Sequence, residues 1–383
     1  MILPRFAFLF LSLLVPLAAS TRSKPTRPDT SDLGTYKGAI VTDAATGAVL
    51  FESNPDVVTP PASMTKLMTY AVLHDKLAAG ALTLGTPVTV SAADSRIGGT
   101  QVYLKEKEVF TVEELVYALM IQSANDAAHA LAIAAAGSAQ AFVELMNAYA
   151  QRIGMKDTHF VDVHGLAAEG HYSSAYDMAL LGRALIRDYP DTYAYNSIKE
   201  LTVNGITQPN RNLLLWRDPS VDGIKTGHTS QAGYCIMNSA KRGDQRLITV
   251  IMGDVSEKQR ATDSLALLNW GFRFFETHRL YEPGKVLATQ KVWKGAQREV
   301  QLGVAAPLLV GVPRGRYEQL KPSMDVPKQL VAPIKQGQQI GTVKVSLDGK
   351  VIAQAPLVAV NAVEEGGFFR RLWDAFWMWW ESV

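Results

Sequence analysis

The chain has 383 residues, 48% of them hydrophobic, and its 38 Lys and Arg nearly balance its 36 Asp and Glu, for a net charge of +2. That length accommodates two or three domains with a substantial core, and so even a charge balance gives no reason to expect nucleic acid as a partner. Cys235 is the single cysteine, so no internal disulfide forms and packing has to supply the stability.

Residues 1–20 read as an export signal. MILPR is a short positive opening, FAFLFLSLLVPL is an apolar run too short to span a bilayer comfortably, and LAAS offers small residues for cleavage after Ala19 or Ser20. Residues 21–36 (TRSKPTRPDTSDLGTY) are a polar, proline-bearing arm. AIVTDAATGAVLFES places two apolar runs around AATG, which predicts a hairpin. After TPPAS, the stretch MTKLMTYAVLHDKLAAG has apolar residues at helical spacing, with Gly80 as a stop.

Residues 111–136 predict one or two helices, opened by a capping box of Thr111 with Glu114. Residues 139–153 and 177–188 predict two more. From 221 the period changes: VDGIKTG, AGYCIMNSAKR and RLITVIMGDV read as consecutive strands, and TDSLALLNWGFRFFETH as a closing helix. Cys235 falls within a strand, as a small buried apolar residue. Strands, a block of helices, then strands and a helix predict an α+β domain over about residues 30–282. An antiparallel sheet would join both ends of the segment, with flanking helices and a helical subdomain.

Pro283-Gly284 marks a boundary. Residues 284–360 have short strand-like runs, with a hairpin turn at Asp348-Gly349, and predict a small all-β domain. Residues 367–383 form an amphipathic helix. Phe368, Trp379, Leu372, Val383, Phe376, Phe369, Trp380 and Trp373 fill one arc of about 140°, opposite Arg370, Arg371, Asp374, Glu381 and Ser382. At about 24 Å it is too short and too charged to cross a bilayer, and its tryptophans suit the interface. The alternative is a helix docked on its own protein or on a partner.

Three short motifs occur in order: Ser63-Met64-Thr65-Lys66, Ser123-Ala124-Asn125 and Lys225-Thr226-Gly227. Each alone is weak, since Ser63 passes as a helix cap, Ser123 and Asn125 as loop residues, and the lysines as solvated charges. Together, at a helix start, between helices and on a strand, they form a chemical set. Residues three apart share a helix face, so the Lys66 amine reaches the Ser63 hydroxyl. An amine is a base only when neutral, which burial and a second cation promote; Lys225 is the candidate for that cation, and for the charge that receives a substrate carboxylate. Backbone N–H groups beside Ser63 suit a developing oxyanion. Ser123 is placed to relay a proton, and Asn125 to hold a substrate backbone and orient Lys66. Gly227 leaves a strand edge open for an extended peptide.

The motifs are those of penicillin-binding proteins and serine β-lactamases. The stretches PPASMTKLMT, IQSANDAA, HGLAAEGHYSSAYDMALLGRALI, QPNRNLLLW, VDGIKTGHTSQAGYC and NWGFRFFET, with VPRGR, LDGK and the tail, carry the match further. The chain resembles the D-alanyl-D-alanine carboxypeptidases, low-molecular-mass penicillin-binding proteins. The resemblance implies a β-lactamase/transpeptidase-like domain, a β-sandwich stalk and a helix on the periplasmic face of the bacterial inner membrane. It implies Ser63 as the acylated nucleophile, Lys66 as its base, and Ser123 and Asn125 in proton transfer and positioning. Lys225, Thr226, Gly227 and His228 would line the carboxylate subsite with Arg211, and the N–H groups of Ser63 and His228 would form the oxyanion hole. His164 and Asp177 match a loop near the site. The implied partners are a peptidoglycan pentapeptide stem, β-lactams and the inner-membrane surface, with no metal or cofactor.

A class A β-lactamase shares the motifs but also needs a glutamate for deacylation, and Glu200, four residues before Asn204, falls in a strand-like stretch. A DD-endopeptidase uses the same chemistry. A cell-wall scaffold needs no activated nucleophile, and the seven histidines form no HExxH pair for a metallopeptidase.

Overall fold

A computed structural model describes residues 34–382, so the export signal expected over residues 1–20 and most of the arm lie outside the described residues. The main sheet has five antiparallel strands in the order Val49–Ser53, Gly38–Asp43, Gln245–Asp254, Gly233–Arg242, Val221–Thr229. The two ends of the segment meet in its middle, where Gly38 faces Met252 and Asp43 faces Leu247. This is the expected α+β arrangement. Both faces of the sheet are covered, so its central strand is a nearly continuous apolar run rather than an alternating one. Ile248, Val250 and Met252 join the core shared with the helical subdomain, while Leu247 and Ile251 pack with Leu267, Leu268 and Phe272 on the other face.

The Thr65–Ala78 helix runs through the first core, with Leu67, Met68, Tyr70, Ala71 and Leu73 fully buried beside the polar Thr65, Lys66 and Thr69. The capping box forms: Thr111 Oγ1 accepts the Glu114 N–H at 3.2 Å, and Glu114 Oε2 accepts the Thr111 N–H at 2.7 Å. The helix it opens widens into a π turn over Ala118–Gln122 and breaks at Ser123, so residues 111–136 form two helices rather than one.

The closing helix differs from expectation. It spans Glu257–Phe274, capped at its start by Ser256, and its expected end from Phe275 to His278 is strand. Phe275–Tyr281 pairs antiparallel with Leu308–Pro313, and this distant ladder overrides the local helical period. The chain is thus committed to the β-rich C-terminal domain ahead of Pro283. That domain holds a six-stranded sheet, with Lys321–Asp325 at one end and Leu330–Val331 at the other, around its own core of Val300, Leu302, Val343, Val345 and Leu357. Asp348 and Gly349 adopt φ of +51° and +76°, the two-residue turn expected.

The tail helix, Phe368–Ser382, touches this domain through polar groups. Asp374 Oδ2 accepts the Lys294 N–H at 2.6 Å, and Arg370 Nη1 donates to the Ala296 carbonyl at 3.3 Å. Its aromatic residues point away: Phe369 is 83% exposed, Trp373 65% and Trp380 62%.

Candidate active site

Pro61 leads into a single 3-10 turn, Ala62–Met64, ahead of the Thr65 helix. The Ser63 side chain caps neither element. Lys66 Nζ lies 2.9 Å from Ser63 Oγ and donates to the His164 carbonyl at 2.7 Å. Lys66 is fully buried, and its amine is pulled down to about 7. Burial is the main cause, Asp162 and Asp126 oppose it, and Arg211 adds to it. The expected cation was Lys225. Lys225 is itself buried and driven well below the lysine range, first by burial and then by Lys66, Arg211 and Arg260. The cation that lowers Lys66 is Arg211, where Lys225 was expected.

Ser123 sits in the helix break at φ +64°, and its buried hydroxyl has no hydrogen-bond partner among the described residues. A non-glycine residue held in that conformation stores strain of about 1–3 kcal/mol, the kind of outlier that clusters at functional sites. Asn125 differs from expectation. Its Nδ2 donates to the Gly98 carbonyl at 2.7 Å, while Oδ1 is buried without a partner. The His164 carbonyl, not Asn125, orients Lys66. Asn125 and Asp126 instead hold a wall of the site: the Asn125 N–H donates to the Thr100 carbonyl at 2.7 Å, and Asp126 accepts the N–H groups of Val102 and Leu104 at 3.3 and 3.1 Å.

The strand Val221–Thr229 is an edge of the main sheet and borders the Ser63 turn. Gly227 does more than leave that edge open. A Cβ there would fall 2.8 Å from the Pro61 carbonyl and 3.1 Å from the Ser63 nitrogen, so the missing side chain is what lets the strand approach the serine. Arg260, buried, donates to the Gly227 carbonyl at 3.0 Å and to Glu257 at 2.9 Å, which pins this strand from behind. Lys225 Nζ donates to the Thr226 carbonyl at 3.1 Å, and the exposed His228 ring stacks on Tyr234 at 4.1 Å.

Arg211 is exposed, on a loop fastened at both sides. Asn210 Nδ2 donates to the Ile198 carbonyl at 3.0 Å, and Asn212 Nδ2 to Asn238 Oδ1 at 2.7 Å. Gln122, next to the Ser123 break, donates to the Gln208 carbonyl at 2.6 Å. Arg211 itself makes no hydrogen bond or ion pair among the described residues, and its charge acts on Lys66, Lys225 and Arg260.

Asp177 is structural, accepting the Asp157 N–H and the Thr158 hydroxyl at 2.7 Å each. His164 serves through its backbone, a role that residue type does not encode. Sequence reasoning also missed Arg260 and the two asparagines flanking Arg211; the NRN triplet was the available signal, two amides bracketing a cation.

Cys235 is buried and its thiol pushed up to about 11, mainly by burial, so it is no nucleophile. Glu200 is exposed on the Glu200–Val203 strand of a hairpin. Among the described residues no three metal-ligating side chains gather.

A family model described as D-alanyl-D-alanine carboxypeptidase matches residues 26–256, and one described as penicillin-binding protein 5, C-terminal domain, matches residues 275–365. The chain is 44% identical over 373 residues to D-alanyl-D-alanine carboxypeptidase DacC of Escherichia coli (strain K12), covering 95% of this chain and 92% of that one. The structure of penicillin-binding protein 5 from Haemophilus influenzae matches with a TM-score of 0.81 at 40% identity, over 89% of this chain and 100% of that one. Penicillin-binding protein D2 from Listeria monocytogenes in its ampicillin-bound form matches with a TM-score of 0.58 at 30% identity, over 65% of this chain and 100% of that one.

Proposed function

The chain belongs to the D-alanyl-D-alanine carboxypeptidase family of serine peptidases, and on that premise we propose that it cleaves the terminal D-alanine from a peptidoglycan pentapeptide through an acyl-enzyme on Ser63. The observation that carries this reading is the Lys66 amine, fully buried, held near 7 and 2.9 Å from the Ser63 hydroxyl. A neutral amine has one lone pair. With one N–H donated to the His164 carbonyl, the neutral amine can turn its lone pair to the Ser63 hydroxyl 2.9 Å away.

The substrate lies as an added strand along the free edge of Val221–Thr229. Its carboxylate is received by Arg211, Lys225, Thr226 and His228, and an arriving anion favours the charged form of Lys225. Ser63 Oγ attacks the carbonyl of the penultimate D-alanine as its proton passes to Lys66. The N–H groups of Ser63 and His228 bind the oxyanion. The proton then moves through Ser123 to the leaving amine and D-alanine departs. Water hydrolyses the ester with Lys66 again as base, releasing the tetrapeptide. Asn125 Oδ1, buried and unpaired, is available to a substrate N–H. A β-lactam enters as a mimic of the same terminus.

The amphipathic tail and the export signal expected over residues 1–20 support a location on the periplasmic side of a bacterial inner membrane. The polar face of the helix is engaged by the C-terminal domain and its aromatic residues are exposed, which favours an interfacial lipid contact over intramolecular docking.

Incubation with a mass-tagged penicillin tests the acylation step: a stable adduct on Ser63, absent from Ser63→Ala, is expected. Release of D-alanine from a pentapeptide, without splitting of a crosslinked dimer into its two peptides, tests the carboxypeptidase step. Rapid penicillin turnover without an adduct contradicts the proposal.

A further inference from the structure

The segment His159 to Gly165 reads HFVDVHG, and its aspartate has no part in the three motifs. Asp162 Oδ1 accepts the backbone N–H groups of His164 and Gly165 at 2.8 and 2.6 Å, which closes an Asx-type turn. The peptide so fixed is the one whose carbonyl accepts from Lys66 at 2.7 Å. At its other end the turn abuts the nucleophile: Gly165, at φ +86°, lies so close to Ala62 that a Cβ would fall 1.9 Å from the Ala62 carbonyl. The Ser63 helix grips the same loop at two further points. Thr69 donates to the Val163 carbonyl at 2.6 Å, and Thr65 Oγ1 lies 2.7 Å from His171 Nε2.

Two histidines flank the carboxylate: His164 Nδ1 is 3.1 Å from Oδ1, and His171 Nδ1 is 3.9 Å from Oδ2. Burial works against its charge, yet the His164 contact, both histidines and the Gly165 N–H hold Asp162 down at about 2, so it stays an anion. The charged groups coupled to Lys66 come from several elements: Asp162 on this loop, Asp126 after the helix break, Arg211 on the loop that follows Ile206–Pro209 and Lys225 on the edge strand. Asp162 leads the charges that oppose burial there.

We propose that Asp162 is a positioning residue for acylation: its carboxylate builds the turn that seats the His164 carbonyl on Lys66, and keeps an anion in the loop that touches that amine. The inference rests on the serine-acylation reading above. It separates two duties of one side chain, an acceptor for two N–H groups and an anion beside a base, and the conservative amide keeps the first while removing the second.

The test follows labelling of the full chain by a fluorescent penicillin across pH, for the parent, Asp162→Asn and Asp162→Ala. Asp162→Ala leaves two buried N–H groups unpaired and is expected to lower the plateau labelling rate at least about tenfold. Asp162→Asn is expected to recover most of that loss and to move the acid limb to lower pH by about half a unit or more, a displacement that a merely structural carboxylate would not produce. An acid limb that stays in place in Asp162→Asn, or a parent-like plateau in Asp162→Ala, overturns the assignment while leaving acylation of Ser63 intact. A parent chain that takes no label overturns both.

Discussion

Lys66 Nζ lies 2.9 Å from Ser63 Oγ and exposes no surface to solvent. The pH dependence of acylation follows from that burial. With the amine near 7, only its neutral form accepts the serine proton. The second-order rate of penicillin acylation is expected to level off above about pH 8 and to fall about tenfold per unit below about pH 6. A stopped-flow profile that stays flat through this range, with Lys66→Ala equally active, contradicts Lys66 as the base.

The same burial destabilises the fold. The folded pKa of Lys66 lies below its ordinary 10.5, so below that value the unfolded chain binds the extra proton and is favoured. The penalty is fully present below about 7 and vanishes as pH rises past 10.5. Lys66→Met is therefore expected to abolish acylation yet raise stability near neutral pH, by an amount on the order of a few kcal/mol. Denaturant unfolding at neutral and alkaline pH checks the sign, since the gain must shrink as pH rises.

Gly227 offers a test of spacing rather than chemistry. An added methyl presses on the Pro61 carbonyl and the Ser63 nitrogen, both backbone atoms without a rotamer to yield. Gly227→Ala is expected to lower kcat/KM by about 10- to 100-fold, because a displacement below 1 Å at a nucleophile is enough for such losses. Its melting temperature should change by no more than a few degrees. Parent-like kinetics would show that the strand and serine turn move apart freely.

The tail makes a separate prediction. A chain ending at Glu365 lacks every exposed aromatic of the Phe368–Ser382 helix. It is expected to leave the membrane pellet on fractionation while still labelling Ser63 with penicillin. Continued pelleting would assign membrane contact to another surface.

Much of the site was legible because its parts are local. Ser63 and Lys66 are one helical turn apart, so residue spacing alone implies their contact. The capping box at Thr111 and the turn at Asp348-Gly349 are likewise short-range devices whose partners are near in sequence. Features that depend on distant partners were misread. The helix expected to reach His278 stops at Phe274, because Phe275 pairs with Pro313. The group orienting Lys66 is a backbone carbonyl at His164, which any residue type at that position could present.

Residue order therefore determined the candidate groups: a serine and an amine one turn apart, a second serine with an amide, and a Lys-Thr-Gly strand, within an α+β frame set by period and turn residues. Tertiary structure decided which charges act on the amine. Burial and Arg211 lower it while Asp162 and Asp126 raise it, and Lys225 is itself driven down, by burial first and then by Lys66. The physical reason is that desolvation and Coulomb energy depend on distance and on the surrounding dielectric, and neither exists until the chain has folded around those groups.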